Sequence, residues 1–429
     1  MHWVHAEHPE RRVRLAYCLN LHAADSVDDT LRGIREVTLP LRDRIAPASA
    51  FGVGLYLPNE IARVLDADPA AAESFGSFLA DEGLDPFTFN AFPFGGFHAD
   101  SLKEHVFRPT WADASRLEFT SCVARLAAAF AQRTGGLGDP AHVSISTHAG
   151  RFGPWPPDGN ELGMSSLALA RFAWEAARIE AKSGVRIVLS IEPEPRSSAN
   201  DLAELERFLA HVREVAPIYA PRAALCSTER MQELLERHVG ICLDACHAAV
   251  EFEDGAGALG ATAVERPLGP LGKLQFSSAL ALRDPLANDD GRERLLAMAE
   301  PRYLHQVTGR TRTGELVRAT DLPELLAMWR EASWSGCDEW RCHFHVPVDL
   351  DEVGDPGLGT TRADADALLT RVLAAPATWG TPELHLEIET YTWDVLPGAA
   401  RGSGALVDGL EREYRHVMGL LEAAGWRRA

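Results

Sequence analysis

The chain has 429 residues, 46% of them hydrophobic and 24% charged, an ordinary globular mixture. Its formal net charge is −20, and lysine occurs only at positions 103, 182 and 273, which argues against a surface made for nucleic acid or for an anionic membrane. No uncharged apolar run approaches the roughly 18–20 residues a bilayer span needs, and no apolar segment follows a basic start, so the expected location is the cytoplasm.

The seven cysteines form no CxxC pair, which suggests reduced thiols. Short β-like runs alternate with helical stretches along the whole chain, the pattern of parallel strands joined by crossover helices. The first strand is expected over residues 14–20, followed by an amphipathic helix over 27–45. The second covers 51–57, with helices over 59–65 and 70–82, and the third covers 87–92. A long loop, 93–111, precedes a helix over 115–133. The fourth strand is 143–147, with a Gly/Pro-rich loop over 150–163 and a helix over 165–182. The fifth is 186–191, and helices over 202–215 and 228–238 lead to the sixth, 240–244. The seventh covers 273–277. Then come a small hairpin near 302–307, a helix over 322–332, strand-like runs at 341–346 and 384–390, and a closing helix over 406–423.

That makes nine candidate strands, where a (β/α)8 TIM barrel has eight. One must lie outside the ring, and 341–346 is the first suspect. No repeat and no linker divides the chain, so a single domain over residues 1–429 is expected, with long loops at the carboxyl face.

Sorting each strand by parity separates an apolar face (Leu15, Tyr17, Val53, Leu55, Ile187, Leu189, Ile241, Leu243, Leu386, Ile388) from a polar or small one. The polar face gathers at the carboxyl ends of the strands, where barrel active sites sit. It includes Asn20, His22, His148, Glu192, Asp244, Gln275, His345 and Glu389. Several carboxylates converging on one rim repel one another, and a cation is the simplest partner for them. In Leu243-Asp-Ala-Cys-His247, Asp244 ends a strand and His247 follows in the turn. The plain alternative is a helix cap and a turn histidine. His343 and His345 share a strand face two residues apart.

Ser190-Ile-Glu-Pro, Leu243-Asp-Ala-Cys-His and Leu386-Glu-Ile-Glu-Thr resemble the xylose isomerase-like TIM barrels. The resemblance implies one or more divalent ions (Mn, Mg or Zn) on a Glu of the fifth strand, an Asp of the sixth, a His of the seventh and a Glu of the eighth. Glu192, Asp244 and Glu389 match three of these. Gln275 stands where the His is expected, a departure that weakens the case for zinc, and His345 or His247 is left to supply the imidazole. A resemblance over nearly the whole chain is to the EboE-type metabolite traffic proteins. It is carried by Tyr17-Cys-Leu-Asn-Leu-His22, Phe92-Pro-Phe-Gly-Gly-Phe-His98, Lys103-Glu-His-Val-Phe-Arg-Pro-Thr-Trp111, Lys273-Leu-Gln-Phe-Ser-Ser-Ala-Leu280, His343-Phe-His-Val-Pro347 and Glu389-Thr-Tyr-Thr-Trp-Asp-Val-Leu-Pro397. That family implies a small-molecule metabolite and partner proteins of the same operon.

The expected metal ligands are therefore Glu192, Asp244, Gln275, His345 and Glu389, with Glu192 and Glu389 as acid and base. Asn20, His22, His148, His247 and His343 are expected to bind substrate. Arg108, in the 93–111 loop with His98, is expected to hold an anionic group beneath a lid. The leading expectation is a metal-dependent isomerase or epimerase of a small sugar-like or keto metabolite. The alternatives are a non-catalytic binding or handover protein and a phosphoester hydrolase of the endonuclease IV type.

Overall fold

The computed structural model describes residues 1–22, 24–96, 103–135, 141–157, 159–257, 268–354, 358–394, 396 and 402–429. The strands in chain order are β1 (His2–His5), β2 (Arg12–Cys18), β3 (Phe51–Tyr56), β4 (Leu84–Asn90), β5 (Val143–His148), β6 (Ile187–Glu192), β7 (Val239–Asp244) and β8 (Leu271–Phe276). They continue as β9 (Ser278–Arg283), β10 (Val307–Thr311), β11 (Leu316–Ala319), β12 (Cys337–Val346), β13 (Gly359–Thr360), β14 (Glu383–Ile388) and β15 (Trp426–Arg428).

Eight of these strands close a parallel ring in the order β2 to β8 and then β14, which pairs back onto β2 from Glu383↔Arg12 to Ile388↔Tyr17. Helices connect successive strands, and the chain is a (β/α)8 barrel. β1 and β15 extend the sheet antiparallel from the amino-terminal end of β2, residues 12–14. The outward-facing residues Leu15, Val53, Ile145, Leu189, Ile241 and Leu386 are fully buried in one core beneath the helices. The helices start where side chains take up free backbone N–H groups: Asp201 caps Leu202–Tyr219 through Glu204 N, and Ser227 caps Thr228–His238 through Arg230 N.

The surplus strand is the one expected. Residues 341–346 form the end of β12, which lies in a separate five-stranded antiparallel sheet ordered β11-β10-β12-β9-β13. This insertion sits between β8 and β14 and has its own core, including Leu280, Leu282, Trp334, Trp340 and Phe344. Only Ser277 separates β8 from β9. The chain therefore leaves the barrel at the mouth and enters the insertion without a linker. The hairpin expected near 302–307 is formed by β10 and β11 instead, just downstream. The expected helix over 322–332 is two shorter ones, Leu322–Met328 and Ala332–Ser335.

The lumen is filled in layers. At its floor Arg14, 1% exposed, joins Asp85 (Nη1–Oδ2 2.7 Å) and Glu383 (Nε–Oε1 3.0 Å). Beside them the His142 and His385 rings stack 4.0 Å apart. These two histidines and Glu383 form a possible ligand triad by proximity. Yet His142 already meets Gly272 O, and His385 meets Ser144 Oγ and Glu383, so the group is a satisfied structural network. Above the floor, Lys273 pairs with Glu387 and donates to Asn90 Oδ1 at 2.8 Å and Ser146 Oγ at 3.1 Å. A Cβ at Gly54 would overlap the Glu387 carboxylate, so only glycine leaves room for this buried pair.

Candidate metal centre at the barrel mouth

A cavity of about 650 Å³, counting its open mouth, lies at the carboxyl ends of the strands. Its walls include Glu192, Glu194, His247, Gln275, His343, His345 and Glu389, with Phe92, Phe107, Tyr303 and Tyr391 as apolar sides. Glu192 ends β6 beside His148 of β5, and Asp244 ends β7 beside Gln275 of β8. Glu389 follows β14, its N–H donating to Phe276 O. β12 runs back over the mouth, and its end brings His343 and His345 to the rim, where His345 Nδ1 lies 2.9 Å from Ser277 Oγ. The insertion thus supplies the imidazoles that β8 lacks.

Three ring nitrogens meet here. His247 Nε2 lies 3.1 Å from His343 Nε2, which lies 2.9 Å from His345 Nε2. The opposite nitrogen of each ring faces an acceptor. His247 Nδ1 meets Pro193 O at 2.9 Å, His343 Nδ1 meets Gln306 Oε1 at 2.6 Å, and His345 Nδ1 meets Glu389 O at 3.2 Å. A carbonyl oxygen only accepts, so at His247 and His343 Nδ1 carries the hydrogen and Nε2 presents a lone pair, while His345 Nδ1 also meets the Ser277 hydroxyl, which can donate or accept. Two lone pairs aimed at one another, those of His247 and His343, need positive charge between them.

The spacing fits an ion. Two nitrogens bound at about 2.0–2.1 Å and subtending about 90–110° lie roughly 2.9–3.4 Å apart. Among the neighbouring carboxylates, Glu194 faces an Nε2 edge, and Glu192 and Asp244 face Nδ1 edges. Glu194 Oε2 is 3.6 Å from His247 Nε2, Glu192 Oε1 is 3.2 Å from His247 Nδ1, and Asp244 Oδ2 is 4.0 Å from His345 Nδ1. Glu194, His247 and His343, and likewise Asp244, His247 and His345, bring ligand atoms within 4.8 Å of one another. Asp244 Oδ1 caps the next helix through His247 N at 2.8 Å, while its buried Oδ2 has no hydrogen-bond partner. The helix cap therefore uses one oxygen and leaves the other free to meet a ligand. Glu389 divides similarly: Asn20 Nδ2 donates to Oε1 at 2.9 Å, and buried Oε2 is left without a partner.

Electrostatics point the same way. Burial, and then Glu389, Asp244 and Glu194, push Glu192 well above the usual carboxylate range. Burial and then Glu387 do the same to Glu389. Glu194 rises to about 7, mainly by burial, which His247 opposes. Burial lowers His343 well below its ordinary value and His345 to about 4. Burial also works against a charge on His247, but Asp244 and Glu194 outweigh it and raise that ring. The site gathers several buried carboxylates with little positive charge beside them.

Of the residues singled out in the sequence, Glu192, Gln275, His247, His343, His345 and Glu389 line this cavity, and Asp244 lies directly behind it. Gln275 is engaged elsewhere in the lumen, its Oε1 accepting from the Cys242 thiol at 2.6 Å. Gln275 thus stays in the cavity wall with its oxygen already engaged, while the three histidines meet one another. Asn20 positions Glu389 and is not part of the cavity wall. His22 turns outward to Tyr17 OH at 3.0 Å, because its strand has ended and a short helical turn, Leu19–Leu21, redirects the chain. His148 is buried between the Phe92 and Phe107 rings, behind the wall. Arg108 is exposed and away from the cavity. His98 lies outside the described residues. Two residues were not foreseen. Glu194 was legible as the second carboxylate of Glu192-Pro-Glu-Pro, where the prolines keep the chain extended past the strand. Gln306, just before β10, carried no signal in the sequence.

No family model matches the chain, and no curated protein does. Among solved structures it is similar to the IOLI protein, whose crystal structure carries a zinc atom: 9% identity, 96% of this chain and 99% of that one covered, TM-score 0.44. It is also similar to a xylose isomerase-like TIM barrel/4-hydroxyphenylpyruvate dioxygenase fusion protein, at 12% identity and a TM-score of 0.40, covering 96% of this chain and 44% of that one. The chain thus spans under half of the fusion protein, and its own barrel is established by the closed ring of strands.

Proposed function

We propose that the chain is a divalent-metal-dependent enzyme that moves a proton on a small polyhydroxylated or keto metabolite, as an isomerase or epimerase. The observation that carries this is the meeting of the His247, His343 and His345 Nε2 atoms in a cavity also walled by two buried glutamates. His247, His343 and Glu194, whose ligand atoms lie within 4.8 Å of one another, would hold the ion with His345 beside them, and nitrogen-rich ligation suits Zn or Mn better than Mg. A bound ion would act as a Lewis acid toward adjacent substrate oxygens. Glu192 and Glu389 would act as acid and base. Burial and neighbouring carboxylates raise both well above the usual carboxylate range, the direction that acid–base work by a carboxyl group requires. Asn20 fixes the Glu389 carboxyl by its Oε1. Phe92, Phe107, Tyr303 and Tyr391 limit water access. A role in metabolite traffic, with partner proteins of the same operon, is what the EboE-like motifs in the sequence would imply.

The test is solvent exchange. Metal-loaded protein in D2O with a panel of free aldoses, ketoses and polyols should place deuterium on a substrate carbon. Glu192→Gln and Glu389→Gln should each slow this by roughly 10²–10⁴-fold while still binding metal. Binding without exchange across the panel would replace the enzyme with a handover protein. Cleavage of a phosphodiester probe, with more than one metal per chain, would favour the hydrolase.

A further inference from the structure

The histidine triad owes its orientation to groups that are not themselves ligands, and one of these comes from the insertion. We infer that Gln306 is a positioning residue, which holds His343 in the tautomer that turns its Nε2 lone pair to the centre. This rests on the metal-centre reading above.

Gln306 is 1% exposed. Its amide cannot be reversed without loss, because Nε2 donates to Pro195 O at 3.0 Å. Oε1 therefore faces His343 Nδ1, 2.6 Å away, and accepts its hydrogen. Glu194 Oε1 is the other acceptor near this nitrogen, but at 3.8 Å it is beyond hydrogen-bond reach. The main chains are tied as well: His343 N–H donates to Gln306 O at 2.9 Å. The next residue, Val307, pairs with Cys342 in the β10–β12 ladder. Gln306 is thus fixed relative to His343 at the side chain, the backbone and the sheet.

The anchor for this arrangement lies across the cavity. Pro193 O accepts from His247 Nδ1, and Pro195 O accepts from Gln306 Nε2. The short segment after β6 therefore orients His247 directly and His343 through Gln306. Glu194, between the two prolines, points its carboxylate at both rings. Were the acceptor removed, the buried Nδ1–H would have no partner. The hydrogen would move to Nε2, where His247 or His345 nitrogen can accept it, and the lone pair would leave the centre.

The experiment uses the full chain, metal-free and labelled with 15N-histidine. Long-range 1H–15N spectra report each tautomer, and zinc titration reports affinity. Wild type should show His343 as the Nδ1–H form. In Q306M the Nε2–H form should appear and zinc affinity should fall by about 10–100-fold. Q306E, which keeps an acceptor, should retain the Nδ1–H form and bind zinc nearly as well as wild type. Should Q306M not fold, Q306N, with its acceptor withdrawn by one methylene, carries the same expectations. Q306M with an unchanged tautomer and unchanged zinc affinity overturns the inference, as does loss of both in Q306E. A wild-type chain whose His343 tautomer depends on Gln306, yet which binds no metal, supports the positioning role and removes the metal reading instead.

Discussion

Replacement of His343 by Ala tests the centre through stability, without any knowledge of the substrate. His343 is the middle ring of the triad, with Nε2 neighbours on both sides at 3.1 and 2.9 Å. An ion bound to the folded chain alone stabilises it by RT ln(1 + [M]/Kd), about 2.7 kcal/mol at a hundredfold excess over Kd. A chain of 429 residues unfolds with an entropy near 0.9 kcal/mol/K, from about 2.1 cal/mol/K per residue, so this gain raises Tm by roughly 3 °C. Loss of the central ligand should weaken binding at least as much as the roughly 10–100-fold that loss of a supporting partner costs. At a hundredfold loss, the same ion concentration gives H343A only about 0.4 kcal/mol, a shift near half a degree. Calorimetry after chelator dialysis, with zinc, manganese and magnesium added in turn, measures both proteins. A wild-type Tm that no ion moves, or an equal shift in H343A, would refute the reasoning.

Two further outcomes test the barrel itself. Arg14→Met should lower stability by about 3 kcal/mol, the low end for breaking a buried ion pair, because Arg12 and His2 still face Glu383 and Asp85. An unchanged urea midpoint would contradict a paired barrel floor. His238, buried with Nδ1 on Ile187 O, is held down to about 4, by burial first. The unfolded chain takes up this proton below about pH 6.5 and the folded chain resists it until about 4, so stability falls as pH drops through that window, by up to about 3 kcal/mol. His238→Phe should flatten that part of the stability–pH curve, and an unaltered slope would count against the assignment.

Much of the barrel was legible because a strand covered by helices outside and facing a lumen inside alternates with period two. Leu15, Val53, Leu189 and Leu386 could be sorted outward, and Glu192, Asp244 and Gln275 inward, from parity alone. The distant ends of the site were harder. Arg108 and His22 belong to segments after strand ends, where alternation no longer predicts direction, and neither is part of the cavity wall. Gln306 has no local pattern at all, since its role depends on a partner 37 residues away in sequence.

By itself the order of residues determined that there would be a ring of alternating strands, that one run near residue 341 was surplus to it, and that carboxylates would gather at one end. Those are short-range consequences of side-chain period and polarity. Only the tertiary structure decided which nitrogens meet. β12 is excluded from the ring, yet its antiparallel pairing with β9 and β10 swings its end back over the mouth. That places His343 and His345 against His247, nearly a hundred residues earlier in the chain. Which nitrogen of a ring faces the cavity is set by what the far side of the ring bonds to, and that is a property of the fold.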